Sequence, residues 1–293
     1  MDGDNISFDQ IVSRRRALLG SAALGTTFAL AAQPIQAQTM IVTPSDGLAA
    51  GTVQVKTKDG KEMMAYRAMP ASGTGFGTIL VVQEIFGVHA HIADICRRFA
   101  KVGYYAIAPD LYFRKGDATK VSDIQTLMKD FVSQTPDEQV MNDLDSTAAF
   151  AKGEGKADAT KLGITGFCWG GRIAWLYDAH NPAIKAAVAW YGPLGYKPSA
   201  NTPNNPPDVV KQLHGPVLGL YGGADPGIPQ EQVEKMRAAL KDSGNPAAAK
   251  SQIHVYPDAP HAFNADYRPS YRKEAAEDGW KRCLAWFKAN GVT

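Results

Sequence analysis

A thiol stands between two glycines in Gly166-Phe167-Cys168-Trp169-Gly170-Gly171, directly after an apolar run at 162–165. A strand that turns at once into a helix needs small residues on both sides of the turn, because a flanking Cβ would collide there. The central side chain is then held up in a strained conformation. Cys168 would sit at a helix N-terminus, where free N–H groups and the helix dipole favour thiolate, and the Trp169 N–H would face an oxyanion. Two further residues complete a nucleophile, base and orienting acid. The apolar run 217–221 leads into Gly222-Gly223-Ala224-Asp225, and the run 252–256 leads into Pro257-Asp258-Ala259-Pro260-His261. A fourth group, Glu84, follows the apolar run 78–82 directly, and the next N–H, that of Ile85, is placed to serve as a second oxyanion donor.

These residues need elements to hold them. Residues 52–57 alternate, Asp59-Gly60 supplies a turn, and 62–69 returns, which predicts an opening antiparallel pair. Short apolar runs at 78–82, 104–108, 162–165, 184–190, 217–221 and 252–256 read as buried strands. Helical spacing separates them. It is carried by Ile92, Ile95, Phe99 and Val102, by Val233, Met236 and Leu240, and by Trp280, Leu284 and Phe287, with a further helix expected from Arg172. Such alternation predicts an α/β domain: a mostly parallel twisted sheet with helices on both faces and its ligand site beyond the carboxyl ends of the strands. Residues 193–207, with five Pro, are expected to form a loop near the site mouth. Trp175, Trp190 and Trp280 are assigned to the core.

Composition narrows the function classes. Among 293 residues, 31 Lys and Arg against 29 Asp and Glu leave a formal charge of +2, with 45% hydrophobic residues. That balance disfavours nucleic acid and a polybasic membrane role. Residues 1–37 read as a signal peptide: Ser13-Arg14-Arg15-Arg16 precedes an Ala-rich apolar run, and Ala37 is the favoured cleavage point. The paired arginines are of the twin-arginine type, although Ala17 replaces the usual Phe. The twin-arginine export machinery is then the precursor's partner, and a periplasmic or secreted location follows. Residues 38–293 form a single catalytic domain.

His89 and His91 would point to different sides of a helix, and no Cys or acidic cluster completes a metal site around them, so no metal and no cofactor is expected. Cys96 and Cys283 fall on the first and last helices, which should cover one face of the sheet. Two buried thiols are preferred to a bridge between them.

The order Cys, Asp, His, each after a strand, is that of α/β-hydrolases. Gln83-Glu84-Ile85-Phe86-Gly87-Val88, Ala108-Pro109-Asp110-Leu111-Tyr112, the Cys168 segment, Trp190-Tyr191-Gly192, Gly222-Gly223-Ala224-Asp225 and His261-Ala262-Phe263 together resemble the dienelactone hydrolase (carboxymethylenebutenolidase) family, which has the α/β-hydrolase fold. The resemblance implies Cys168 as nucleophile, His261 as base and acid, Asp225 orienting the imidazole, and Glu84 helping to activate the thiol. It also implies Ile85 and Trp169 as oxyanion donors, with Tyr112, Tyr191 and Arg268 as candidate substrate contacts. The family's carboxylate-binding Arg after the catalytic His is matched here by Ala265. Its second such Arg belongs to a region that offers Arg114, Lys115 and Lys129. A lactone or activated ester cleaved through a cysteinyl thioester is the expected small-molecule substrate, because a thiolate expels good leaving groups best. A non-catalytic binding or stress protein on the same fold, and a dehalogenase, are the alternatives; a dehalogenase would want Asp at position 168.

Overall fold

The computed structural model describes residues 40–293, so the leader assigned to residues 1–37 lies outside the described residues. Strand β1 (Leu48–Lys56) and β2 (Glu62–Pro70) form the expected antiparallel pair, with Gly60 at φ +79° in the turn between them. The chain continues through β3 (Phe76–Val82), α1 (Ala90–Lys101), β4 (Tyr105–Pro109), α2 (Asp137–Gly153), β5 (Ala157–Phe167) and α3 (Trp169–His180). It ends with β6 (Ile184–Trp190), β7 (Val217–Gly222), α4 (Gln230–Asp242), the short α5 (Pro246–Lys250), β8 (Gln252–Tyr256) and α6 (Lys273–Ala289). Between β4 and α2, short helical turns occupy 118–134. The strands form one eight-stranded sheet in the order β1-β2-β4-β3-β5-β6-β7-β8, antiparallel at β1, β2 and β4 and parallel from there on. Parallel pairing places the carboxyl ends of β3, β5, β7 and β8 along one edge, where the chemistry-bearing residues follow.

Side chains alternate across a strand, and β5 shows which helix lies where. A Cβ on Gly163 would meet the Phe287 ring of α6 at 2.8 Å, and Thr165 accepts a hydrogen bond from the indole N–H of Trp190, whose ring lies against Gly279 of α6. Gly166, one residue on, faces Gly170 of α3 instead. Helix α1 shares the α6 face, as expected: the Phe99 ring packs 4.6 Å from Trp280 and 6.1 Å from Phe287. Val102 departs from the expected apolar stripe, because α1 ends at Lys101 and leaves the Val102 cap residue half exposed. Trp175 and Trp190 are fully buried.

Two expectations need correction. Pro206 and Pro207 do not belong to the loop. They open a 3₁₀ turn, Pro206–Gln212, whose cap Asn205 exchanges hydrogen bonds with Asp208, since proline is tolerated where a helix has no N–H to satisfy. Helix α3 starts at Trp169 rather than Arg172, because the glycines allow the helix to begin directly after Cys168.

Cys96 and Cys283 are both free and fully buried, and burial pushes both thiols above their ordinary range. In the native protein a thiol reagent should therefore titrate at most one cysteine, and three after denaturation without reductant. Fewer than three would reveal a bridge. Asp178 supplies a second test. Its Oδ1 accepts from the N–H groups of His214 and Gly215 at 3.0 and 3.2 Å, while Oδ2 is buried without a partner among the described residues. Burial raises its pKa to about 8 against the two hydrogen bonds. A folded-state value above the unfolded one means stability that is complete below the unfolded pKa and lost as pH rises toward 8. Asp178→Asn should therefore raise Tm at pH 9 relative to the parent, roughly 2–4 °C for each kcal/mol regained, and leave it unraised at pH 4. An equal effect at both pH values would contradict this origin.

Candidate functional site

Strand β5 and helix α3 meet at Cys168 so tightly that only glycine fits at the contact. A Cβ on Gly166 would fall 2.0 Å from the Gly170 carbonyl oxygen, and one on Gly170 would fall 2.4 Å from that of Gln83. Cys168 itself takes φ 54°, ψ −121°. This conformation is costly for a residue with a Cβ and survives only where neighbours enforce it. The Cys168 N–H donates to the Trp190 carbonyl at 3.0 Å, and its own carbonyl accepts from Gly171 at 2.8 Å. The Gly170 contact also brings the end of β3 against the turn, which sets Glu84 and Ile85 beside it. Trp169 is the first helical residue, so its N–H has no partner within α3. Tyr191 at φ 37° and Ala262 at φ 59° are the other non-glycine residues with positive φ among the described residues, and both adjoin the same site.

The turns after β7 and β8 are fastened to each other: Gly223 N–H donates to Tyr256 at 2.7 Å, and Ala224 N–H to Ala259 at 3.1 Å. That pairing fixes Asp225 relative to His261. The Asp225 Oδ1 accepts from the Gly227 N–H at 2.8 Å, and Oδ2 lies 2.7 Å from His261 Nδ1. An ionised carboxylate can only accept, so Nδ1 carries the hydrogen and Nε2 is turned to the Cys168 sulfur, 3.1 Å away. Cys168, Asp225 and His261 are all buried. Burial opposes charge on the imidazole, but the sulfur and the Asp225 carboxylate outweigh it and raise the His261 pKa to about 10.

Glu84 is 1% exposed, and its hydrogen bonds go to neighbours other than the sulfur. Its Oε2 accepts from the Tyr267 hydroxyl at 2.6 Å and lies 3.3 Å from His89 Nε2. Burial disfavours the carboxylate, yet the Arg268 guanidinium and His89 hold it well below the usual range. Arg268 is buried as well, 4.4 Å over the Phe86 ring and 5.0 Å over that of Tyr267. His89 and His91 do not point apart. Their rings stack with centroids 6.2 Å apart, because His89 is the extended cap residue of α1 and escapes helical periodicity. His91 Nδ1 lies 3.3 Å from Asp266 Oδ1, within ion-pair distance. No cluster of three metal-ligating side chains occurs among the described residues.

Three tyrosines surround the sulfur. Tyr112 packs 5.1 Å from the Trp169 ring and Tyr191 packs 5.2 Å from that of His261. Both are fully buried, with hydroxyls that meet no partner among the described residues. Burial, and then the nearby Cys168 charge, raises the hydroxyl pKa of Tyr196, which sequence reasoning did not select. Tyr196 is delivered by the loop 193–205, where Arg172 donates to the Asn204 carbonyl at 2.6 Å and stacks 5.9 Å from the Tyr196 ring. Tyr267 was also missed; its only signal was an aromatic next to Arg268. Arg114 is turned away from the site, held by both oxygens of Asp143 at 2.6 and 2.9 Å and by Asp59 at 2.9 and 3.1 Å. Lys115 and Lys129 are exposed, and Ala265 is buried.

Known proteins similar to this chain point to one family. The profile described as "Dienelactone hydrolase family" matches residues 63–291. A protein of Methylorubrum extorquens named "Putative carboxymethylenebutenolidase" is 58% identical over 281 residues, covering 96% of this chain and 94% of its own length. A protein of Escherichia coli K12 with the same name is 55% identical over 265 residues, covering 90% of this chain and 95% of its own. Among solved structures, one described as a "Putative Dienelactone Hydrolase" from Klebsiella pneumoniae superposes with a TM-score of 0.79 at 54% identity, covering 82% of this chain and 98% of its own. The chain belongs to the dienelactone hydrolase family.

Proposed function

We propose that the protein hydrolyses lactones or activated esters through a thioester on Cys168. The observation that carries this reading is the single file of Asp225, His261 and Cys168, linked at 2.7 and 3.1 Å at the carboxyl ends of β7, β8 and β5. Relatives named for carboxymethylenebutenolide cleavage support it. Cys168 gives its proton to His261, and the sulfur attacks the carbonyl carbon. The backbone N–H groups of Ile85 and Trp169 receive the oxyanion. The new S–C bond persists, the C–O bond breaks, and the leaving enolate or phenolate takes the proton from His261. Water then adds to the thioester carbonyl while His261 accepts its proton. The C–S bond breaks, releasing the acid and returning the sulfur. Asp225 keeps the imidazole in the tautomer this needs. Glu84, ionised and paired with Arg268, sets the field beside the sulfur and assists its activation.

Export is part of the same proposal. Ser13-Arg14-Arg15-Arg16 and the apolar run after it support twin-arginine translocation, with the hydrolase acting in the periplasm or outside the cell. Among the described residues no helix is long and apolar enough to cross a membrane.

A panel of enol-lactones, aryl esters and thioesters, assayed with the parent and Cys168→Ala, tests the assignment. Turnover should vanish in the variant; persistence at the parental rate would move the nucleophile elsewhere. Asp225→Asn should lower kcat by roughly 10²- to 10⁴-fold with little change in KM. Because His261 stays protonated up to about pH 10, the alkaline limb of kcat/KM should fall near that pH and not near the ordinary imidazole value. A limb near neutrality would contradict the sulfur–imidazolium pairing. Glu84→Gln should lower turnover while the thermal unfolding profile remains cooperative, and undiminished activity would leave Glu84 with a structural part only.

A further inference from the structure

No ester carbonyl reaches the sulfur without displacing part of the protein. Cys168 is 4% exposed and His261 8%, so the acyl group of a substrate must be admitted by a movement. The elements that frame the thiol are ill suited to move: β3, β5 and β6 are paired side by side in the sheet, and α3 begins on the Gly166–Gly170 contact. Residues 195–205 differ. Not one of them is buried, although Leu194 before them and Pro206 after them are. Such a segment loses little apolar contact on lifting, which puts it among the parts of a fold that open most readily. It also travels as a unit. The Asn205 Oδ1 accepts from the Tyr196 N–H at 2.7 Å and its Nδ2 donates to the Tyr196 carbonyl at 3.1 Å, closing the base of a compact loop.

Polar contacts hold this loop down. The Asn204 carbonyl accepts from Arg172 Nη2 at 2.6 Å, the Asn201 carbonyl accepts from the Asp137 N–H at 2.8 Å, and Asn201 Nδ2 donates to the Ser133 carbonyl at 2.8 Å. The first two converge, because Arg172 grips both Asp137 oxygens at 2.7 Å. Arg172 lies about one helical turn past Cys168, so this anchor is built on the helix that carries the nucleophile. What the loop lowers over that helix is Tyr196, whose ring lies 5.9 Å from the Arg172 guanidinium. The ring is half-exposed, yet burial and then the charge of Cys168 raise the pKa of its hydroxyl, which marks the hydroxyl as the inner end.

We propose that residues 195–205 are a lid over Cys168, that the Arg172–Asp137 pair is its latch, and that Tyr196 plugs the mouth and limits the size of the acyl group admitted. The size limit rests on the hydrolase reading above; the lid and latch do not. None of these three residues makes or breaks a bond, and their part is to position the loop.

The three cysteines supply the test in the native full-length protein. Iodoacetamide or a bulky fluorescein maleimide is applied, and each cysteine is followed by peptide mass spectrometry. Asp137→Asn removes the charge that Arg172 grips, and Tyr196→Ala removes the plug. Each should speed maleimide labelling of Cys168 about tenfold relative to iodoacetamide labelling, a factor that one charged hydrogen-bonded pair is worth in an open–closed equilibrium. No relative gain in the Asp137 variant would refute the latch, and none in the Tyr196 variant the plug. Equal acceleration of both reagents would assign the effect to the thiol itself, and labelling of Cys96 and Cys283 in step with Cys168 would assign it to unfolding; either result in both variants would overturn the lid. Turnover reads the size limit. Tyr196→Ala should raise kcat/KM for 4-nitrophenyl octanoate about tenfold relative to 4-nitrophenyl acetate, and an unchanged ratio would refute that limit. Absence of ester turnover, with the reagent-size dependence of labelling intact, would remove the hydrolase reading and leave the lid.

Discussion

The contact between Gly166 and Gly170 is the constraint on which the site depends. With a Cβ of Gly166 falling 2.0 Å from the Gly170 oxygen, strand β5 can turn into helix α3 without a spacer, and Cys168 is left with φ 54°. That strained backbone lifts the sulfur out of the sheet's packing toward His261. The same closeness brings Gln83 against Gly170, so the end of β3 and the start of α3 frame one spot from two sides. Larger side chains at these glycines would separate the elements and dissolve the site.

The rest of the machinery is electrostatic and buried. In a poorly solvated site each charge requires a partner, and the structure supplies them pairwise: Asp225 for His261, Arg268 for Glu84, Asp137 for Arg172. Charge balance has a chemical consequence. The imidazole keeps its proton because a sulfur and a carboxylate flank it. The Arg172–Asp137 pair also ties the loop carrying Tyr196 to the elbow helix, since Arg172 reaches the Asn204 carbonyl and the Asp137 N–H reaches Asn201 at 2.8 Å.

Much of this was legible in the sequence because the decisive residues end short apolar runs. Cys168, Asp225 and His261 each follow a buried strand, so sheet topology alone brings them to one edge. What stayed hidden depends on distant partners or on local exceptions to periodicity. Arg114 was a candidate for substrate binding until its partners, 29 and 55 residues away, proved to be Asp143 and Asp59. His89 escaped the helical wheel by being a cap residue. Helix α2 was not singled out because its buried face mixes Val140, Met141 and Leu144 with Asp143 and Thr147, which blurs the apolar stripe; its acidic first turn after Pro136 was the available signal. The partners of Glu84 were equally invisible, since Tyr267 comes 183 residues later.

The central claim is that a covalent acyl group passes through Cys168. Rapid acid quenching of the mature protein during turnover of a 4-nitrophenyl ester, followed by peptide mapping, reads it directly. One acyl group on the peptide that contains Cys168, formed within the first turnover and lost as substrate is exhausted, is the expected result. Turnover with that peptide unmodified at every time point, or with the acyl group on another residue, would contradict it.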